Sequence, residues 1–224
     1  MKRYVTLEDI SDGKLYSLDD MVKADCNGCE GCNACCMGMG ESVILDAYDM
    51  HRLKLRTRRS FEDLMQDAIE LHVVDGVILP NLSMKSGPQE KCFFLDEAGR
   101  CSIHEDRPGI CRLFPLGRYY EENRFRYFLQ TNECPKRRTK IKVSKWLDVP
   151  NPKKYEEFID SWHNLLKIME ELYEKFSASG REDMAKKYNL MFLQIFYIMD
   201  FDAELDFNEQ FKVKKATFLN SIEK

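Results

Sequence analysis

The spacing of hydrophobic and polar positions changes along the chain, and each change predicts a different kind of structure. Beyond about residue 150 the spacing is helical. Phe158, Trp162, Leu165, Leu166, Met169, Leu172, Tyr173 and Phe176 recur three and four apart, one apolar stripe on an otherwise charged helix. Gly180 closes the pattern, as glycine does just past a helix C-terminus. Met184, Tyr188, Met191, Phe192, Ile195 and Met199 repeat the stripe, and Phe207, Phe211, Phe218 and Ile222 predict a third helix. Three amphipathic helices predict a small antiparallel bundle, with the aromatic stripes as its core.

Nearer the N-terminus two helix starts stand out. Asp46 with Asp49 three residues on predicts a helix from Asp46 to Leu55. Ser60 with Asp63 starts another, in which Phe61, Leu64, Met65, Ala68 and Ile69 share one face. From about 71 to 150 the chain reads instead as short strands and turns. His72 to Leu79 is β-branched around Asp75-Gly76, and Leu116–Tyr120 with Phe125–Leu129 predicts a hairpin. Cys92-Phe-Phe-Leu and Cys101-Ser-Ile-His predict a further hairpin with Gly99 in its turn, which would bring Cys92 and Cys101 together. Pro108 suits the first turn of a short helix. The fold class expected is α+β. A small irregular cysteine-cluster domain with short hairpins occupies residues 1–150, its core at 26–135, and a C-terminal helical region follows at 151–224.

A chain of 224 residues that is 44% hydrophobic can bury a core without disulfide staples. Its formal charge of -4 gives no overall attraction to phosphate backbones, so a nucleic-acid partner is not expected. Two local basic stretches, Lys136, Arg137, Arg138, Lys140, Lys142 and Lys145, and Lys54, Arg56, Arg58 and Arg59, read as solvated surface or as a local grip on an acidic partner or nucleic acid. Glu8, Asp9, Asp12, Asp19 and Asp20 interrupt the first residues, so no apolar signal core is seen. No run of about 18 apolar residues occurs either, and no membrane partner is expected. A cytoplasmic location follows, where thiols stay reduced and clustered cysteines read as metal ligands.

Five of the nine cysteines fall in the run Cys26-Asn-Gly-Cys29-Glu-Gly-Cys32-Asn-Ala-Cys35-Cys36. Thiolates are the soft donors that zinc and iron–sulfur clusters prefer. Paired C-x2-C hooks mark structural zinc. Cys26, Cys29, Cys32 and Cys35 also approach the bacterial ferredoxin run, although its last spacer is longer and proline follows. Adjacent Cys35 and Cys36 are expected to diverge and to serve two centres or one bridging cluster. With Cys92, Cys101, Cys111 and Cys134 added, the count suits two four-thiolate centres or one larger one, and spacing leaves both open. His104, three residues after Cys101, reads as a further donor or as a turn histidine, whereas His51, His72 and His163 read as packed. Arg107 and Arg112 would either tune the centre or tie a turn to backbone carbonyls.

Cys29, Cys32, the Cys35-Cys36 pair, Cys92, Cys101, Arg107-Pro108, Cys111-Arg112, Phe114-Pro115 and Cys134 together resemble the zinc- or iron-chelating cysteine-cluster family written CxxCxxCC, or YkgJ-like, over about residues 26–135. The resemblance implies a metal-chelating domain. Its relatives are described as iron–sulfur oxidoreductases, and some resemble flagellin lysine N-methylases. This chain departs by the additional Cys26, and by His104 where the family often has an aromatic residue. The leading expectation is a protein that binds zinc or a redox-active iron–sulfur centre. Its ligands would be Cys29, Cys32, Cys35, Cys36, Cys92, Cys101, Cys111 and Cys134, with Cys26 as an alternative first ligand. A lysine methylase using S-adenosylmethionine is a second expectation, resting on the resemblance, although no strand and Gly-rich loop for that cofactor is seen. A metal-stabilised interaction module is the third. Whether the protein is an enzyme is left open.

Overall fold

A computed structural model describes residues 6–26, 32–87, 90–122, 124–131, 133–135 and 139–222. The chain forms two compact units, each assembled from two separated stretches: Met1–Met39 with Lys85–Asp160, and Gly40–Met84 with Ser161–Lys224. The mix of helices and small sheets is the α+β fold that the sequence predicts.

The first stretch holds α1 (Leu7–Ile10), β1 (Ser11–Tyr16) and β2 (Met21–Asp25). Between the strands the Asp20 carboxylate accepts from the backbone N–H and the hydroxyl of Ser17, each at 2.7 Å, and so locks the turn. The next stretch begins the second unit with α2 (Ala47–Thr57), opened as expected by Asp46 and Asp49. Asp49 N donates to Asp46 Oδ1 at 2.8 Å, and Asp46 N donates back to Asp49 Oδ2 at 3.2 Å. Ser60 and Asp63 make the same reciprocal cap, but α3 (Phe61–Leu64) lasts only one turn. The chain turns at 65–68, and Ile69, expected on a helix face, begins β3 (Ile69–Val74). A β-branched run with a ladder partner available outweighs the helical pattern here. β3 pairs with β4 (Val77–Leu82) from Ile69↔Leu82 to Val74↔Val77. The two-residue turn between them, Asp75 at φ 49° and Gly76 at φ 80°, is the left-handed pair that a tight hairpin demands.

The chain then returns to the first unit through β5 (Met84–Lys85), β6 (Lys91–Cys92), α4 (Gly109–Leu113), β7 (Leu116–Tyr120), β8 (Phe125–Gln130), β9 (Thr139–Lys142) and α5 (Val143–Leu147). The expected hairpin of β7 and β8 forms, and β1 adds to the free side of β8, giving the antiparallel order β1-β8-β7. β2 pairs separately with β9, where Asp25 lies opposite Thr139 and accepts its hydroxyl at 3.0 Å. Gly117 faces Phe128 across the sheet, and a Cβ added there would lie 2.2 Å from the ring.

α6 (Pro152–Ala178) contributes its first residues to this unit and the rest to the second, which is completed by α7 (Glu182–Leu193), a π-helical turn (Gln194–Ile198) and α8 (Phe207–Ile222). The predicted stripes meet as an aromatic core. Trp162 lies 5.4 Å from Phe192 between ring centroids, Phe192 lies 5.6 Å from Phe218, and Phe196 lies 5.9 Å from Phe211. Met199, expected on the stripe, stands past the π-helical turn and is half exposed. Two ammonium groups neutralise that helix end: Lys214 Nζ donates to the carbonyls of Ile195 and Met199, and Lys54 Nζ donates to Ile198. Among the described residues, no helix is long and apolar enough to cross a membrane.

Candidate metal centre

All eight cysteines among the described residues belong to the first unit, and local structure explains how its separated stretches bring several of them together. Cys26 follows β2 directly and is buried. Cys29 lies outside the described residues. Cys32 is half-buried and leads into a 3-10 turn, Ala34–Cys36, closed by Cys36 N donating to Asn33 O at 2.8 Å. An isolated antiparallel bridge between Met37 and Lys91, with Gly38 N donating to Glu90 O at 2.8 Å, lays this turn beside the strand that carries Cys92.

Cys92 and Cys101 are drawn together much as the sequence predicts. Leu95 bridges Cys101, Ser102 N donates to Phe94 O at 2.9 Å, and Gly99 takes φ 72° in the turn. The ladder is a single bridge where a regular hairpin was expected, because Leu95 N turns back to Cys92 O at 3.0 Å. Pro108 then caps α4, which carries Cys111. Cys134 is half-buried between β8 and β9. The antiparallel pairing of β2 with β9 puts the exit from β2, toward Cys26, at the same ladder end as the entry to β9, after Cys134.

The expectation that adjacent Cys35 and Cys36 diverge is not met. The Cys36 thiol donates a hydrogen bond to the Cys35 sulfur, which the tight 3-10 turn makes reachable. This bond is the main reason that Cys35 is pulled down to about 7 in spite of burial, with the charge of Arg107 assisting. Cys36 is held far up by the same bond, by burial, and by the neighbouring Cys35, Cys111 and Cys92. Burial raises Cys92, with Cys101 and Cys35 adding to it. Burial also raises Cys101, opposed in part by Arg107. Cys35, Cys36, Cys92, Cys101 and Cys111 are therefore linked, each feeling the charge of at least one of the others.

The two arginines divide the roles foreseen for them. Arg112 is buried and ties the turn together, donating to the backbone carbonyls of Arg107 at 3.1 Å, of Asp148 at 2.9 Å, and of Glu105. Arg107 faces Cys35 and Cys101 and is held by His104, whose ring nitrogens lie 2.9 and 3.1 Å from its Nη1 and whose carbonyl accepts at 3.2 Å. Burial and the surrounding arginines push the His104 imidazole down, toward the neutral form that can accept from a guanidinium. His104 is thus a turn histidine that positions Arg107.

Residues 28–135 match the family model described as "CxxCxxCC: Putative zinc- or iron-chelating domain". That segment is similar to the CxxCxxCC domain. No curated protein and no solved structure matches the chain. The match spans all of these cysteines except Cys26, and it runs through residues 40–84 of the second unit between two parts of the first. Among the described residues, no group of three or more His, Cys, Asp or Glu side chains is arranged to hold a metal ion as it stands. The donor set nonetheless fits a soft metal in kind. Metal binding to such thiols would release their protons.

Three residues of the basic stretches form ion pairs within the chain. Lys136, Arg137 and Arg138 lie outside the described residues. Lys142 pairs with Asp19 at 2.6 Å, Lys54 with Asp200 at 2.8 Å, and Arg59 with Asp67 at 2.7 Å.

Proposed function

We propose that the CxxCxxCC domain holds a polynuclear thiolate centre, of zinc or of iron and sulfide, with Cys35, Cys36, Cys92, Cys101 and Cys111 at its heart and Cys29, Cys32 and Cys134 completing it. The observation that carries this reading is a connected group of five thiols, each within electrostatic reach of at least one other, one more than a single tetrahedral ion takes. Convergence of Cys35 and Cys36 supports bridging of two metals by neighbouring sulfurs. A polythiolate centre carries net negative charge, and Arg107, pinned by His104, stands where it can offset that charge and shape the centre's potential. The reading brings a cytoplasmic location with it, since thiol ligands stay reduced there.

Protein purified without oxygen, analysed for metal and acid-labile sulfide, tests the proposal. About two zinc ions per chain, or iron with sulfide and a broad charge-transfer absorption, is expected. A single metal ion per chain would overturn the polynuclear reading. Cys36→Ser and Cys111→Ser should each lose metal, whereas Cys26→Ser should retain it. Full metal content in both of the first two variants would remove the ligand assignment.

A further inference from the structure

The hairpin of β3 and β4 has one edge covered and one bare. On the β4 side, Leu45 N donates to Pro80 O at 2.9 Å, Leu82 N donates to Val43 O at 3.0 Å, and the side chain of Asn189 accepts from Ile78 N at 2.7 Å. On the far side of β3, no strand or loop among the described residues pairs with the backbone.

The register tells which groups are bare. A two-residue turn makes its flanking residues, Val74 and Val77, exchange hydrogen bonds, so Val74, His72 and Glu70 aim their backbone groups at β4 while Val73, Leu71 and Ile69 aim theirs away. Pro80, which has no N–H to give, sits opposite Leu71, where none is needed. Ser83 N donating to Ala68 O continues the same alternation.

Bare edges are ordinarily blunted by lysine, proline or a bulge. β9 carries two lysines, and the ladders of β1 and β2 have register shifts. β3 has none of these devices. Its run Ile-Glu-Leu-His-Val-Val pairs without a shift, and Leu71 and Val73 stand 36% and 68% exposed on it.

We infer that β3 pairs antiparallel with β3 of a second copy of this chain, about a two-fold axis at Leu71, joining two hairpins into one four-stranded sheet. Three centres pair at least two of the outward residues with one another. An axis at Glu70 sets carboxylate against carboxylate, and one at His72 sets imidazole against imidazole, both unfavourable for directly opposed side chains. At Leu71, Glu70 of one copy faces His72 of the other, Leu71 meets Leu71, Ile69 meets Val73, and every outward residue exchanges both of its hydrogen bonds. His72 also has Glu41 and Glu70 of its own chain at 3.0 and 3.7 Å, so charge selects the register while the backbone bonds and the apolar row supply the attraction. Pairing of this kind uses up both bare edges, and association stops at the dimer. It is independent of the metal reading, since β3 belongs to the second unit and none of the described cysteines does.

Sedimentation equilibrium of the full chain, isolated without oxygen and kept with a thiol reductant so that disulfide-linked pairs do not form, tests the proposal alongside residue-resolved amide exchange. A reversible monomer–dimer equilibrium in the micromolar range is expected, in keeping with a contact smaller than a standard interface. Between dilute and concentrated protein the backbone amides of Leu71 and Val73 should slow by about tenfold or more, and those of Glu70 and His72, bonded to β4 in either state, far less. Val73→Lys should weaken association by about tenfold or more and leave the thermal midpoint of the dilute chain unchanged. A chain that stays monomeric at every concentration, growth beyond two copies, or a dimer that Val73→Lys leaves intact overturns the proposal. Protection of Leu71 that does not depend on concentration overturns it too, and would mean that another segment of the same chain occupies the edge.

Discussion

Cys35 and Cys36 show how a single turn decides thiol chemistry. A proton shared between neighbouring sulfurs leaves one of them poised to ionise near neutral pH and the other strongly resistant. Because Cys35 is lowered from its ordinary value near 9 to about 7, its thiolate in the metal-free chain is populated from about pH 7 upward. Removing the donor with Cys36→Ala takes away the largest cause, so the midpoint must move up toward 9. Alkylation of metal-free protein across a pH series, followed at the Cys35 peptide by mass spectrometry, checks this; an unmoved midpoint in the variant would show that the bond is unimportant. At this scale the sequence is legible as to which residue types matter and blind as to direction. It offered the Cys35-Cys36 pair but pointed to divergence, since the 3-10 geometry that turns the two sulfurs together leaves no periodic trace in three residues. It left Arg107 and Arg112 interchangeable, and only burial of Arg112 among three carbonyls separates clamp from tuning group.

At the level of elements, the hairpin of β7 and β8 was readable because its turn residues and its alternation agree. β1, β2 and β9 were not read, being short and polar, and their partners lie far along the chain. The one-turn α3 shows the converse, a strong cap followed by residues that a ladder claims. Gly117 gives this sheet a measurable weak point. A methyl group there would meet the Phe128 ring at 2.2 Å, so Gly117→Ala should destabilise the protein by about 1–3 kcal/mol in denaturant titration. Adding Phe128→Leu should recover part of that loss, because the two changes touch one another. Strict additivity would mean that the strain lies elsewhere.

On the scale of the whole molecule, the helical unit was legible from its stripes, but nothing local announced that residues 40–84 fold with those helices. Long-range partnership is written in which buried surfaces match, and single-sequence periodicity does not carry that. The two units can be followed independently, since each contains one buried tryptophan, Trp146 in α5 and Trp162 in α6. If the cysteines hold metal, chelation should lower the thermal midpoint reported by Trp146 in a Trp162→Phe protein and leave that reported by Trp162 in a Trp146→Phe protein nearly unchanged. Equal shifts at both reporters would mean that the units melt together.

The interleaved order of the chain also sets a timetable for synthesis. β1 and β2 leave the ribosome early, yet their partners β8 and β9 lie beyond an entire intervening segment of the other unit. At about 5–20 residues per second, the wait is on the order of ten seconds. Throughout it the thiols from Cys26 to Cys36 have neither their sheet nor the later cysteines to shelter them. If the cysteines hold metal, loading would come after the chain has passed β9, and the nascent protein would depend on its surroundings to keep those sulfurs reduced until then.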